Sequence, residues 1–76
     1  MIEAFVLVQV DVTVGRRVGD EIARIHGVQL AQVVTGPYDV IVRSEADTME
    51  DLGTLIDEVQ KIRGVTRTLT CPIIRV

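Results

Sequence analysis

"VVTGPYDVIV", residues 33–42, holds two β-branched apolar runs around a Thr-Gly-Pro-Tyr-Asp core. The flanks read as strands and the core as a turn. Pro37 has no N–H to give to a central ladder, so it marks a break between strands. The stretch therefore predicts two consecutive strands, residues 28–35 and 38–44, joined directly to each other. The segments on either side of it are alike. Upstream, IEAFVLVQVDV (residues 2–12) is rich in Val, Ile and Phe and reads as a strand. Residues 16–26 then change period: Val18, Ile22 and Ile25 fall on one helical stripe, with Thr13 or Gly15 as candidate caps. Gly27 comes next, in the place of a glycine that ends a helix in the left-handed conformation. Downstream, Asp47 with Glu50 three residues on resembles a capping box. Leu52, Ile56 and Val59 continue as a second buried stripe, and Gly64 stops it. Residues 65–75, VTRTLTCPIIR, form a last strand in which Pro72 implies an edge position, a bulge or the strand's end near Cys71.

The order is β-α-β-β-α-β within one domain, residues 1–76. A faint repeat supports two equivalent halves: IHGV (25–28) recurs as IRGV (62–65), and TGP (35–37) echoes TCP (70–72). Two interleaved βαβ units with right-handed crossovers make a ferredoxin-like α+β sandwich, a four-stranded antiparallel sheet with both helices on one face. The other face of such a sheet is polar when it meets water. Here Ala4, Val6, Val8 and Val10 alternate with Phe5 and Leu7, and Val40 and Val42 with Ile41, so both faces are apolar. The expectation is an obligate oligomer, at least a dimer packed sheet on sheet.

Composition limits the function classes. The chain has 76 residues, 47% of them hydrophobic but only 3% aromatic, so Val, Ile and Leu must build its core. Its net charge of −3, with Arg16-Arg17 the only adjacent basic pair, argues against a nucleic-acid surface. A single cysteine allows no internal disulfide, and the first residues lack a basic leader, so a cytoplasmic protein with no membrane segment is expected. Catalytic candidates are few. His26 is the only histidine and reads as an exposed helix-end residue, away from any acidic cleft. Cys71 reads as a buried or half-buried structural thiol. There is no C-x-x-C metal motif, no glycine-rich phosphate loop and no local Ser-His-Asp set, so no metal, cofactor or catalytic residue is expected. The acids of the second helix read as its solvated face. Thr66, Thr68 and Thr70 share one side of the last strand by period two. They are either ordinary strand formers or a row of hydroxyls facing a small polar ligand. Asp39 sits where strands avoid acids; it either accepts backbone N–H bonds in its own turn or meets a ligand's ammonium group.

The turn Thr35-Gly36-Pro37-Tyr38-Asp39, followed by a helix and then IRGVTRTLT (62–70), resembles the ligand-binding domain of the leucine-responsive/asparagine regulator (Lrp/AsnC) family, over essentially the whole chain. The resemblance implies an effector-sensing module that binds a small molecule, usually an amino acid, between subunits near this turn. It implies dimers formed through the sheets and larger rings, often octamers. Carried onto this sequence, Gly36 and the main chain of Thr35 and Pro37 meet the ligand's polar ends. Asp39 holds the ammonium group, Tyr38 shapes the pocket, and Thr68 and Thr70 line it. Members of the family carry an N-terminal helix-turn-helix, whereas this sequence opens on a strand. The expectation is a stand-alone sensing domain of transcriptional regulation. It would not bind DNA itself and could co-assemble with full-length regulators. The alternative is a small dimeric ferredoxin-like enzyme using His26.

Overall fold

The computed structural model describes residues 1–11 and 13–75, so the expected extension of the first strand to Val12 lies outside the described residues. The elements are β1 (Ile2–Val10), α1 (Gly15–Ala23), β2 (Val28–Val33), β3 (Val40–Ala46), α2 (Met49–Lys61) and β4 (Val65–Pro72). The order is the expected β-α-β-β-α-β. The sheet runs β2-β3-β1-β4 with every neighbouring pair antiparallel. Each βαβ half is thus split by a strand of the other. This is the ferredoxin-like sandwich that the alternating strands and paired helical stripes predict.

Alternation along β1 explains the layering. Ala4, Val6 and Val8 are fully buried, as are Val40 and Val42 on β3; the valines form one core cluster with Val18 and Ile22 of α1 and Leu55 and Val59 of α2. Ser44 occupies a fully buried place on the same side, and its hydroxyl donates to the Ala4 carbonyl at 3.0 Å. That bond removes the cost of burying an oxygen there. A methyl group on Gly19 would lie 2.7 Å from Val33 Cγ2, so the half-exposed Val33 side chain would have to shift for α1 to keep its approach to β2.

Helix ends differ from the sequence expectation. Thr48, not Asp47, caps α2: its hydroxyl accepts from the Asp51 N–H at 3.0 Å. The box is displaced by one residue, with Asp51 in the acidic third place. Thr13 and Gly15 do not cap α1. Thr13 donates its hydroxyl to Asp11 Oδ1, Gly15 is the first helical residue, and Val14 stands at the cap without a side-chain bond. Thr48→Ala is expected to cost about 1 kcal/mol of stability, and Asp47→Ala less than about half of that. Urea denaturation of the two variants, followed by circular dichroism, checks the difference.

The IHGV/IRGV repeat has a structural counterpart. α1 ends at Ala23 and α2 at Lys61, before the glycines rather than at them. In both halves a four-residue turn comes next, closed by Val28 N–H to Ile25 O at 3.1 Å and by Val65 N–H to Ile62 O at 3.2 Å. Gly27 and Gly64 hold its third position, at φ 95° and 104°. There glycine avoids the strain of a left-handed L-residue. β4 ends at Pro72 on an edge of the sheet, one of the alternatives that proline left open.

Candidate functional site

The turn between β2 and β3 is tied to β1 rather than left free. Val34 N–H donates to Asp39 O at 2.8 Å and Asp39 N–H to Val8 O at 2.9 Å. The Asp39 carboxylate accepts from the Val10 backbone N–H at 2.9 Å through Oδ2, and Gln9 Nε2 donates to Pro37 O at 3.3 Å. Asp39 Oδ1 accepts no hydrogen bond among the described residues. One carboxylate oxygen thus anchors the turn, and the other is left for a second donor. Thr35, Gly36 and Pro37 are exposed, while Tyr38 and Asp39 are half-buried. Gly36 has φ 148°, and a side chain there would meet nothing closer than Tyr38 O at 4.0 Å. Its backbone is therefore open to close approach. Gln9 and the Val10 N–H are site components that sequence reading misses. They lie 28 and 29 residues from their partners, and no local pattern marks them.

Thr68 and Thr70 stand elsewhere. They pair with Val8 and Val6 across β1 and share the helix side of the sheet. The Thr68 hydroxyl accepts from Gln60 Nε2 of α2 at 2.8 Å. β1 separates them from the turn, so two strand spacings, about 10 Å, divide Asp39 from Thr68 within one chain.

The helix-free face carries a broad apolar surface beside the turn. Phe5, Ile41, Leu69 and Leu30 are 38%, 38%, 43% and 49% exposed. Register places Leu69, Leu7, Ile41 and Gln32 in one row, and Cys71, Phe5, Arg43 and Leu30 in the next. Cys71 is exposed on this face, a correction to its reading as a buried thiol. β4 is an edge strand and nothing covers its outer side among the described residues. Glu3, only 9% exposed, lies at the end of the face. Its carboxylate accepts from Arg43 at 2.6 Å and from Arg75, and Arg43 lies 5.6 Å from the Phe5 ring centroid. Two arginines satisfy the buried charge, and the guanidinium over Phe5 adds a cation–π contact.

His26 is exposed just beyond the end of α1, as expected, but it is not away from acids. It lines a cleft of about 540 Å³ with Glu45, Asp47, Asp51 and Glu58, at the opposite end of the strands from the Asp39 turn. The end of β3 and the start of α2 bring these acids to the turn after α1, although they are distant in sequence. Among the described residues, no group of three or more His, Cys, Asp or Glu side chains is arranged to hold a metal ion. No helix among them is long and apolar enough to cross a membrane.

Known proteins share both the sequence pattern and this geometry. The family model of the Lrp/AsnC ligand-binding domain matches residues 3–76. An uncharacterized HTH-type transcriptional regulator of Pyrococcus horikoshii is 38% identical over 71 residues, covering 88% of this chain and 47% of that protein. The chain thus spans about half the length of such curated relatives. The crystal structure of TTHA0845 from Thermus thermophilus superposes with a TM-score of 0.93 at 31% identity, over 100% of this chain and 96% of that one. A transcriptional regulator of Neisseria meningitidis, solved as its L-Met complex, shares the fold with a TM-score of 0.84 at 16% identity, over 97% of this chain and 50% of that one. A matched model over nearly the whole length, a 38% identical relative and the β2-β3-β1-β4 sheet agree: the chain belongs to the Lrp/AsnC ligand-binding domain family.

Proposed function

We propose that this protein is an amino-acid-sensing and oligomerisation module of transcriptional regulation, with the effector held by the turn at residues 35–39 against a neighbouring subunit. The observation that carries this reading is the Asp39 carboxylate, anchored to β1 through Oδ2 and with Oδ1 left for a second donor, beside an open glycine backbone. An α-amino acid offers both complements: an ammonium group for Asp39, and a carboxylate for exposed N–H groups around Gly36. The Neisseria regulator of the same fold, bound to L-Met, supports an amino acid as the effector class. Tyr38 walls the pocket. Thr68 and Thr70, on the other side of their own sheet, enter such a site only from a neighbouring chain.

A second copy covers the helix-free face in this proposal, because four apolar side chains there are more than one-third exposed. Dimers of this kind then assemble further, an octamer being the expected ring. The effector acts by favouring the assembly whose interface it bridges, by no more than its difference in affinity between states. With a net charge of −3 the domain is not the DNA reader; full-length regulators of the family are its proposed partners.

A thermal-shift screen against the twenty amino acids tests the reading, with mass measured by light scattering for each hit. At a hundredfold excess over Kd, binding stabilises by about 2.7 kcal/mol. For a domain of this size that is a Tm rise on the order of 10 °C. No shift with any amino acid would remove the amino acid as effector.

A further inference from the structure

Gln9, Val10 and Asp11, at the end of β1, hold two loops at once. Toward the β2–β3 turn, Gln9 Nε2 donates to Pro37 O at 3.3 Å and the Val10 N–H to Asp39 Oδ2 at 2.9 Å. Toward β4, the Thr66 hydroxyl donates to Gln9 O at 3.1 Å and the Asp11 N–H to Gly64 O at 2.8 Å. β1 lies between β3 and β4, so the turn and the α2–β4 junction are bonded to opposite sides of the same short segment. The ladder slips at this place. Gln9 opposes Arg67 and Val10 opposes Val65, which leaves Thr66 without a partner in the register. A bulge of this kind twists its strand and re-aims the groups beside it.

We propose that Thr66 is a positioning residue for the effector turn, acting on Asp39 through the peptide unit between Gln9 and Val10. Its part in sensing rests on the reading that residues 35–39 hold the effector. The Gln9 carbonyl and the Val10 N–H belong to one planar unit and point to opposite sides of the strand. Thr66 therefore grips one end of that unit and Asp39 the other. Removing the hydroxyl frees the plane to turn, and the N–H that anchors Asp39 Oδ2 turns with it. The same bond polarises the unit: a donor on the carbonyl makes the N–H at the far end a stronger donor. Both effects reach the carboxylate whose Oδ1 is left for the ammonium group. Val10 is only 5% exposed, so water competes little for its N–H. Thr66 is exposed and lies across β1 from the turn, so a group outside the site aims the carboxylate within it. Linkage makes the coupling reciprocal: a filled site tightens the Thr66 bond and with it the start of β4.

Two substitutions separate the hydroxyl from the shape of the side chain. Thr66→Val removes the hydroxyl and keeps the branching, whereas Thr66→Ser keeps the hydroxyl. Circular dichroism checks that both fold. Amide exchange of Val10 is measured by NMR without ligand and divided by that of Val6, in the middle of the same strand, so that a change in global stability cancels. Thr66→Val is expected to raise this ratio about threefold to tenfold, the size of one hydrogen bond, and Thr66→Ser to leave it at the wild-type value. The proteins are then titrated with each of the twenty amino acids and followed by thermal shift. Affinity for any that binds the wild type should fall about threefold in Thr66→Val and hold in Thr66→Ser. A wild-type exchange ratio in Thr66→Val, a Thr66→Ser protein as impaired as Thr66→Val, or an unchanged affinity in Thr66→Val overturns the coupling. If no amino acid binds the wild type, the effector reading fails by itself, and the exchange ratio alone decides whether Thr66 positions Asp39.

Discussion

Asp39→Asn is expected to leave the stability in place and weaken the response to amino acids, while Asp39→Ala weakens that response and destabilises the fold as well. The geometry separates two roles of one side chain. The Asp39 carboxylate accepts the Val10 N–H at 2.9 Å, and Val10 is only 5% exposed. Alanine leaves that donor buried and unpaired, at a cost of about 1–3 kcal/mol. An asparagine carbonyl still accepts the bond but has no charge to offer an ammonium group. Losing the charge-assisted part of such a contact weakens affinity about 10- to 100-fold. The pair of variants is read by urea denaturation without ligand and by thermal shift with it. If Asn keeps the full amino-acid shift, Asp39 serves its own backbone alone and the site lies elsewhere.

Gly27→Ala should be the most damaging single methyl addition in the chain. Gly27 has φ 95°, and a Cβ there would sit 2.7 Å from the Glu45 carbonyl oxygen and 2.8 Å from Leu55 Cδ1. The first neighbour is backbone and cannot turn away. It is also held in place, because the Glu45 N–H donates to Gly27 O at 2.8 Å. The left-handed conformation alone costs an L-residue about 1–2 kcal/mol. Displacing β3 or the Leu55 packing brings the loss to about 3 kcal/mol or more, against a total on the order of 4–11 kcal/mol for a domain this small. Gly53→Ala is the control. It lies within α2 with nothing within 4 Å of the added methyl, and it should gain about 0.5–1 kcal/mol from helix propensity. Chemical denaturation of both variants at one protein concentration checks the opposite signs.

These two glycines also show what kind of information each level holds. Periodicity and turn chemistry are local, so residues 33–42, the IHGV/IRGV repeat and the stripes Val18–Ile22 and Leu52–Val59 suffice to predict six elements in their order. Alternation in β1 likewise reveals two apolar faces from residue types alone. Gly27 is expected at a break because local chemistry demands a positive φ there. That it must remain glycine against Glu45 and Leu55 depends on β3 and α2 meeting the turn, and that is a tertiary fact.

The cap of α2 lies one residue from its expected place because Asp47 and Thr48 both suit a helix start, and only the chain's entry angle selects between them. His26 looks isolated in the sequence because its acidic neighbours, Glu45, Asp47, Asp51 and Glu58, gather around it only after β3 and α2 are packed. Cys71 reads as buried or half-buried because a free thiol behaves as a small hydrophobe, yet β4 falls on the edge of the sheet and leaves it exposed. The turn at residues 35–39 obeys the same rule. Its Gly, Pro and Asp are legible as a turn from residue type alone, since steric limits on φ act within a few atoms. Which donor holds Asp39, which oxygen it leaves free and which charges border the open face all depend on strand order. Hydrogen bonds and ion pairs between residues 28 to 72 positions apart exist only once the sheet has brought them together.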